Sequence, residues 1–163
     1  MQRKCAAHAA LNNSVEAIRA LPGYTGFLKP PVFEDIRRAV SPMADGGGLV
    51  YLATIKQGSL ALIVRSDVEE PVKVVWLNFT EADLAPLLVR RRGENVVGGM
   101  LPAQLGYGGL QEELMEALPK LSESLMAPLA AELRTLGLKE VVLIPSGRLN
   151  LLPLHAASYE VKV

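Results

Sequence analysis

Ser146 and His155 are the two residues whose types could supply a nucleophile and a general base. A serine hydroxyl is a useful nucleophile only when a histidine accepts its proton and an acid orients that histidine. Ser146 lacks the Gly-x-Ser-x-Gly turn that exposes such a serine, and no acid is placed to orient His155. A packing or local hydrogen-bonding role is favoured for His155, and we predict no catalytic residue in this sequence.

Cys5 and His8 are a second pair with chemical potential, because a spacing of three places them on one face of a helix. Two ligands do not make a zinc site, which normally has four. Cys5 is also the only cysteine, so the sequence has no internal disulfide and fits a reducing compartment. We therefore predict no metal site, no cofactor and a cytoplasmic location.

Two stretches could contact phosphate, the basic run Arg90 to Arg92 and the glycine triplet Gly46 to Gly48. The triplet precedes a strand-like run and lacks the Gly-Lys-Ser/Thr of a P-loop, so it predicts a flexible turn. The basic run is explained as the C-terminal end of a helix, where cations are favourable. Because 17 basic and 17 acidic residues cancel, we predict no binding to nucleic acid.

The elements that must position these residues begin with helices. Residues from Ala6 onward favour a helical first segment, which Pro22-Gly23 ends. Asn12-Asn13 is the point at which this segment would divide into two short helices. A second helix is predicted at 32–40, where the apolar residues fall on one face.

Three strands are predicted next. Leu49 to Ile55 and Leu60 to Arg65 flank a short turn and indicate a β-hairpin whose strands are mostly apolar on both faces. Val72 to Leu77 adds a third antiparallel strand. Trp76 in that strand could stack on a ligand, but a lone aromatic in a strand favours packing in the core or at a sheet edge.

Thr80, with Asp83 three residues later, predicts a capped helix from Glu81 to about Arg91. The stretch from Gly93 to Gly109 is rich in glycine and predicts a long mobile loop. Loops of this length are often functional, and in a protease-like protein such a loop would line the substrate groove or take part in activation.

Leucines then recur at spacings of three and four from Leu110 to Leu136, the longest helical pattern in the sequence. Pro119 is expected to divide this pattern and Pro128 to kink or restart it, so helices packed along a sheet are favoured over a coiled coil. Gly137 ends the pattern ahead of Val141 to Ile144, a continuous apolar run typical of a strand covered on both faces.

Several segments resemble, in order, the CHAT domain, a caspase-like family commonly attached to tetratricopeptide repeats. Residues 18–24 (Ile-Arg-x-Leu-Pro-Gly-Tyr) and 27–33 (Phe-Leu-x-Pro-Pro-x-Phe) are similar to the lead-in of many CHAT domains. Residues 125–129 (Leu-x-x-Pro-Leu) resemble the helix before the family's signature strand. Over a hundred residues after the lead-in, Val141 to Ile144 is followed at 145–153 by the Pro-x-Gly turn and Leu-x-x-Leu-Pro of that signature.

The resemblance implies an α/β fold, a mixed sheet with an antiparallel meander, covering helices and Val141 to Ile144 as the central strand. It also implies a helical lead-in at 1–43 and the N-terminal part of a CHAT-like domain at 44–163. The family's catalytic His-Gly pair and later Cys lie downstream of the signature, and neither is present here. The resemblance therefore implies a part of the domain without its catalytic half.

Three functions stay open on this basis. The first is a non-catalytic interaction or regulatory module of a caspase-like protein. The second is the N-terminal half of a cysteine endopeptidase completed by another chain, which is the only case in which the resemblance implies peptidase activity. The third is a small ligand-binding α/β domain, which the glycine-rich loops favour.

No apolar run approaches the roughly 18 residues that span a bilayer, so we predict no membrane association. Ser158 to Val163 alternates like a strand. If the family's sheet continues beyond it, an apolar edge or face of the sheet is left exposed. We therefore predict a protein partner, strand exchange or a homo-oligomer.

Overall fold

The protein is a mixed α/β chain, as its sequence predicts. The structure, a computed structural model, describes residues 2–41, 43, 46–65 and 69–157, with side chains from residue 6 onward. The described strands are β1 (Gly47–Ile55), β2 (Gly58–Val64), β3 (Val72–Leu77), β4 (Arg90–Arg92), β5 (Asn95–Gly98) and β6 (Glu140–Pro145). The described helices are α1 (Gln2–Arg19), α2 (Phe33–Val40), α3 (Glu81–Leu88), α4 (Met100–Gln104), α5 (Leu110–Leu121) and α6 (Ala127–Thr135). They belong to two compact units, Met1–Ile36 and Arg37–Val163.

The first unit is formed mainly by α1 and the turns that follow it. α1 is continuous through Asn12 and Asn13, so the expected division into two helices is wrong. The Asn12 amide nitrogen lies 3.3 Å from His8 Nδ1 one turn earlier, so this polar side chain bonds along the helix instead of competing for its backbone. At the end of α1, Arg19 Nε donates to the Phe27 carbonyl oxygen at 2.8 Å and ties the following turns to the helix.

The second unit is built on a four-stranded sheet in the order β3-β2-β1-β6. β1, β2 and β3 form the predicted antiparallel meander, and β3 has the predicted bounds. β6 pairs in parallel with β1, so the strand expected to be central lies at an edge of the described sheet. The apolar run at 141–144 predicted a buried strand, but an apolar sequence does not specify whether a strand has one neighbour or two. Val142 in β6 is in fact 49% exposed.

Helices and short turns cover one face of this sheet. Successive side chains of a strand point to opposite faces, and the register places Leu52, Ala61 and Val75 side by side on the covered face. All three are buried. The 3₁₀ turns Gly147–Leu151 and Leu154–Ala156, which follow β6, add buried leucines to the same core.

The leucine stripe is one continuous helical run, in which a π-helical segment, Ser122–Met126, joins α5 to α6. Its side chains Leu121, Leu125 and Leu129 are fully buried in the core, so the expectation of a helix packed along a sheet is confirmed. Pro119 lies inside α5 without dividing it, contrary to expectation. Pro119 is exposed, so water can serve the carbonyl group that lacks its usual helical donor.

The residues at both ends of α6 are those that the sequence pointed to, a proline near its start and a glycine just after its end. Pro128 stands in the first turn of α6, where a missing N–H costs little. Gly137, with φ +71°, ends the run. Its N–H donates to the Arg134 carbonyl oxygen at 2.8 Å, and the Leu138 N–H donates to the Leu133 carbonyl oxygen at 3.0 Å, which is a Schellman motif.

Residues 89–109 differ most from the sequence-based expectation. α3 ends at Leu88, and the basic run lies in strand β4 and not at a helix end. The stretch expected to be a long loop contains β5 and α4, with a tight turn at Gly93 between β4 and β5. Three consecutive arginines carry no strand signal, so this hairpin depends on pairing that a local pattern does not reveal.

Thr80 and Asp83 form the predicted capping box at the start of α3. The Asp83 carboxylate accepts from the Thr80 N–H at 2.8 Å, and the Thr80 hydroxyl oxygen accepts from the Asp83 N–H at 3.3 Å. We expect Thr80→Ala to lower the free energy of unfolding by about 1 kcal/mol, measured by urea denaturation. Thr135→Ala is the matched control, because that hydroxyl only bonds an exposed helix carbonyl, and it should change stability by less than about 0.5 kcal/mol.

The same box predicts a pH dependence of known sign. Hydrogen bonds from the Thr80 side chain and backbone lower the pKa of Asp83 below its usual value of 3.8. A carboxylate whose pKa is lower in the folded state stabilises that state fully at a pH above its unfolded-state pKa. This contribution is lost as the pH falls through the folded-state pKa. The wild type should therefore be more stable than Asp83→Asn at pH 7, with a difference that shrinks below about pH 3.8. A pH-independent difference would contradict this assignment.

Candidate functional site

Ser146 and His155 do not form a catalytic pair. Ser146 precedes the first 3₁₀ turn, His155 lies in the second, and both are exposed. In the part of the chain that the structure describes, no hydrogen bond joins their side chains. The Ser146 N–H donates to the Leu52 carbonyl oxygen at 2.8 Å, so this corner ties the end of β6 to β1. The arrangement is structural.

The second pair with chemical potential, Cys5 and His8, lies in α1. The Cys5 side chain lies outside the described residues, so the expected face shared with His8 stays a prediction. Across residues 6–41, 43, 46–65 and 69–157, no group of three or more His, Cys, Asp or Glu side chains is placed to hold a metal ion. None of the described helices combines the length and the apolar composition needed to cross a membrane.

The glycine triplet brings two strands close together. Gly47 and Gly48 belong to β1, so a flexible turn is the wrong description for them. Gly46 has φ +89°, and its carbonyl oxygen accepts from the Lys139 N–H at 2.8 Å. A Cβ atom at Gly46 would lie 3.0 Å from the Gly137 carbonyl oxygen. The absence of a side chain at Gly46 therefore lets the segment before β6 pack closely against the start of β1.

The basic run is divided between two roles. Arg90 makes two ion pairs with α5, to Glu113 at 2.7 Å and to Glu116 at 2.7 Å. A hydrogen bond from Lys120 lowers the pKa of Glu116, and the charge of Arg90 acts in the same direction. Arg90 thus fastens the β4–β5 hairpin to α5, whereas Arg91 and Arg92 are exposed. The expected solvated helix end is not the explanation.

The second face of the sheet, opposite the helices, carries exposed apolar side chains. Because side chains alternate, the register collects every other residue of the four strands on this face. We call it the open face, and its side chains are Leu49, Tyr51, Ala53, Ile55, Leu60, Leu62, Val64, Val72, Val74, Trp76, Glu140, Val142 and Ile144. Among these side chains only Glu140, at the start of β6, carries a charge.

Exposure is concentrated on the outer strands of the open face. Trp76 on β3 is 62% exposed, and Val74 beside it and Val142 on β6 are each 49% exposed. In the central strands, Leu49 and Val64 lie in the register between Val142 and Val72, and both are buried. Trp76 was expected to pack in the core or at a sheet edge. It lies on the edge strand β3, paired with Leu60, but most of its surface is in contact with water.

An uncovered face of this composition is unusual for this type of sheet. An antiparallel sheet can face water on one side, but that side then normally carries polar residues, and here it is mostly apolar. Large contiguous apolar patches on soluble proteins mark sites of association. The composition of the open face suits an apolar partner surface.

No protein-family model, curated protein or solved structure matches this chain. The CHAT resemblance accordingly stays a prediction that rests on the sequence segments described above.

The position of the open face was not predicted from the sequence, although two signals pointed to it. The hairpin strands were recognised as apolar on both faces, which a strand wetted on one side would not be. In β3, Lys73 lies on the side of the helices, whereas Val72, Val74 and Trp76 point away from them. Apolar side chains on the face away from the helices favour a surface that another structure covers.

Proposed function

We propose that this chain is a non-catalytic protein-interaction module of the CHAT-like type, which associates through the open face of its sheet. The observation that carries the proposal is the predominantly apolar face opposite the helices, with Trp76 at 62% exposure. Large aromatic side chains such as this one supply much of the binding energy of protein interfaces. The segments that resemble CHAT domains support the family part of the proposal.

The partner that we assign to the open face is a second copy of the chain. Among the strand residues of the open face only Glu140, at one end of the edge strand β6, is charged. Like-charge repulsion against a second copy is therefore confined to one corner, and no charge pattern selects a different partner. Two-fold dimers bury the same patch on both subunits, and they are the commonest homo-oligomers. Two such sheets pack face to face at about 10 Å with their side chains interleaved.

The size of the surface is adequate for such a dimer. Neighbouring strands are about 4.8 Å apart, so the four strands make a face about 14 Å wide before side chains are added. Tryptophan and tyrosine each bury on the order of 150–250 Å² when they are covered. With the aliphatic residues around them, the open face can form the apolar centre of an interface of about 800 Å² per subunit, the usual size for a stable complex.

The test is the molar mass of the purified chain by light scattering over a concentration series. We expect a defined dimer that dissociates on dilution. The double variant Val74→Thr, Trp76→Thr keeps β-branched residues in β3 but removes the apolar surface. We expect it to weaken dimerisation at least about tenfold, as the loss of an interface anchor does.

The matched control is Leu105→Thr, Met115→Thr, since these side chains are 75% and 71% exposed but lie outside the open face. It should dimerise like the wild type, and circular dichroism should show that all three proteins are folded. A wild type that stays monomeric, or a control that dissociates as much as the β3 variant, overturns the second copy as the partner. Cleavage of peptides by the purified chain would overturn the non-catalytic assignment.

A further inference from the structure

A groove lies between the β4–β5 hairpin and α4, on a surface that shares no residue with the open face. Its volume is about 720 Å³, within the range of small-molecule sites. Val96 and Val97 line it from the hairpin, and Leu105 and Tyr107 line it from the end of α4 and the turn that follows. These four side chains are between 48% and 75% exposed, so the groove is apolar and uncovered.

Arg91 is the only charged side chain in the lining of this groove. Its neighbour Arg90 has both ends of its guanidinium engaged by Glu113 and Glu116. Among the described residues, Arg91 has no carboxylate partner, and its contact with the Glu94 carbonyl oxygen is long, at 3.4 Å. A cation with spare donors therefore lines an apolar concavity.

We propose that this groove binds a small amphiphilic monocarboxylate, with the carboxylate on Arg91 and the apolar body against the valines and Leu105. A guanidinium presents paired donors that match the two oxygens of a carboxylate. The remaining lining is mostly apolar side chains, which suits an alkyl or aryl body. An extended peptide fits less well, because its buried backbone groups would need partners that such a lining does not provide.

The turn after α4 forms one wall of the groove. Gly108, with φ +104°, follows Tyr107 in the lining. The Tyr107 N–H donates to the Pro102 carbonyl oxygen at 2.8 Å, which folds this turn back onto α4. The wall formed by Leu105 and Tyr107 is thus held by backbone hydrogen bonds.

The experiment is calorimetric titration of the full chain with decanoate, below its micelle concentration, and with decanol as the uncharged comparison. We expect decanoate to bind one site about tenfold more tightly than decanol, because a charge-assisted hydrogen bond is added. Arg91→Gln should abolish that preference. Arg92→Gln, an exposed arginine on the same strand outside the groove, should retain it. No saturable binding of decanoate, or an equal loss in both variants, overturns the proposal.

The second pair of variants locates the apolar body. Leu105→Ser should weaken decanoate binding about tenfold, because the leucine side chain is lost from the contact. The Val74→Thr, Trp76→Thr variant of the open face should bind decanoate like the wild type. The opposite result would place the probe on the open face and overturn the groove as its site. Because this variant also tests dimerisation, failure of one proposal is distinguishable from failure of the other.

Discussion

Replacing Gly99 by alanine is expected to lower the free energy of unfolding by about 3 kcal/mol or more. Gly99 has φ +109° and ψ 162°, a region of backbone conformation that is essentially restricted to glycine. A Cβ atom there would lie 2.6 Å from the Leu88 carbonyl oxygen and 2.9 Å from Val89 Cα. Both are backbone atoms, so no side-chain rotation relieves the clash. The end of α3 and the start of α4 must separate instead.

The control for this substitution is Gly106→Ala. Gly106 also has a positive φ, +85°, but a Cβ atom added there meets nothing within 4 Å. It should cost only the conformational term, about 1–2 kcal/mol. Urea denaturation gives the free energy of unfolding of both variants. The difference between them measures the steric clash, because both variants carry the backbone strain. Equal costs would show that α3 and α4 are not in the close contact described, and the groove beside them would lose its support.

Leu125→Ala is expected to cost about 2–5 kcal/mol, the second large effect. Leu125 is 0% exposed and belongs to the core cluster at the π-helical segment between α5 and α6. Removing its side chain loses the transfer free energy of the buried atoms and leaves a cavity that surrounding helices and strands fill only in part.

Met115→Ala on the same helical run is the control, since Met115 is 71% exposed. Its substitution should change the free energy of unfolding by less than about 0.5 kcal/mol. The midpoint of urea denaturation measures both variants. If the two substitutions cost the same, the leucine stripe is not packed against the sheet, and a helical seam with another chain would have to be considered.

Local chemistry predicted the parts of the fold whose causes lie within a few residues. The bounds of β3, the capping box at Thr80 and Asp83, and the helix end at Gly137 are all present as expected. Each depends on side-chain alternation, on a side chain bonding its own helix end, or on a backbone conformation that glycine adopts readily. The same kind of local pattern argued against a catalytic pair at Ser146 and His155, because neither the turn nor the acid of such a site is in the sequence.

The candidate interaction surface depended on tertiary structure. An apolar residue such as Trp76 or Val142 has the same sequence signature whether helices, another chain or water covers it. The position of β6 at a sheet edge and the pairing of Arg90 with α5 involve residues far apart in the chain. The sequence by itself determined the strands of the meander, the capped start of α3 and the leucine-rich helical run. Only the tertiary structure decided which sheet face is left open and which arginine lines a groove, because pairing between distant segments is set by packing that no local pattern records.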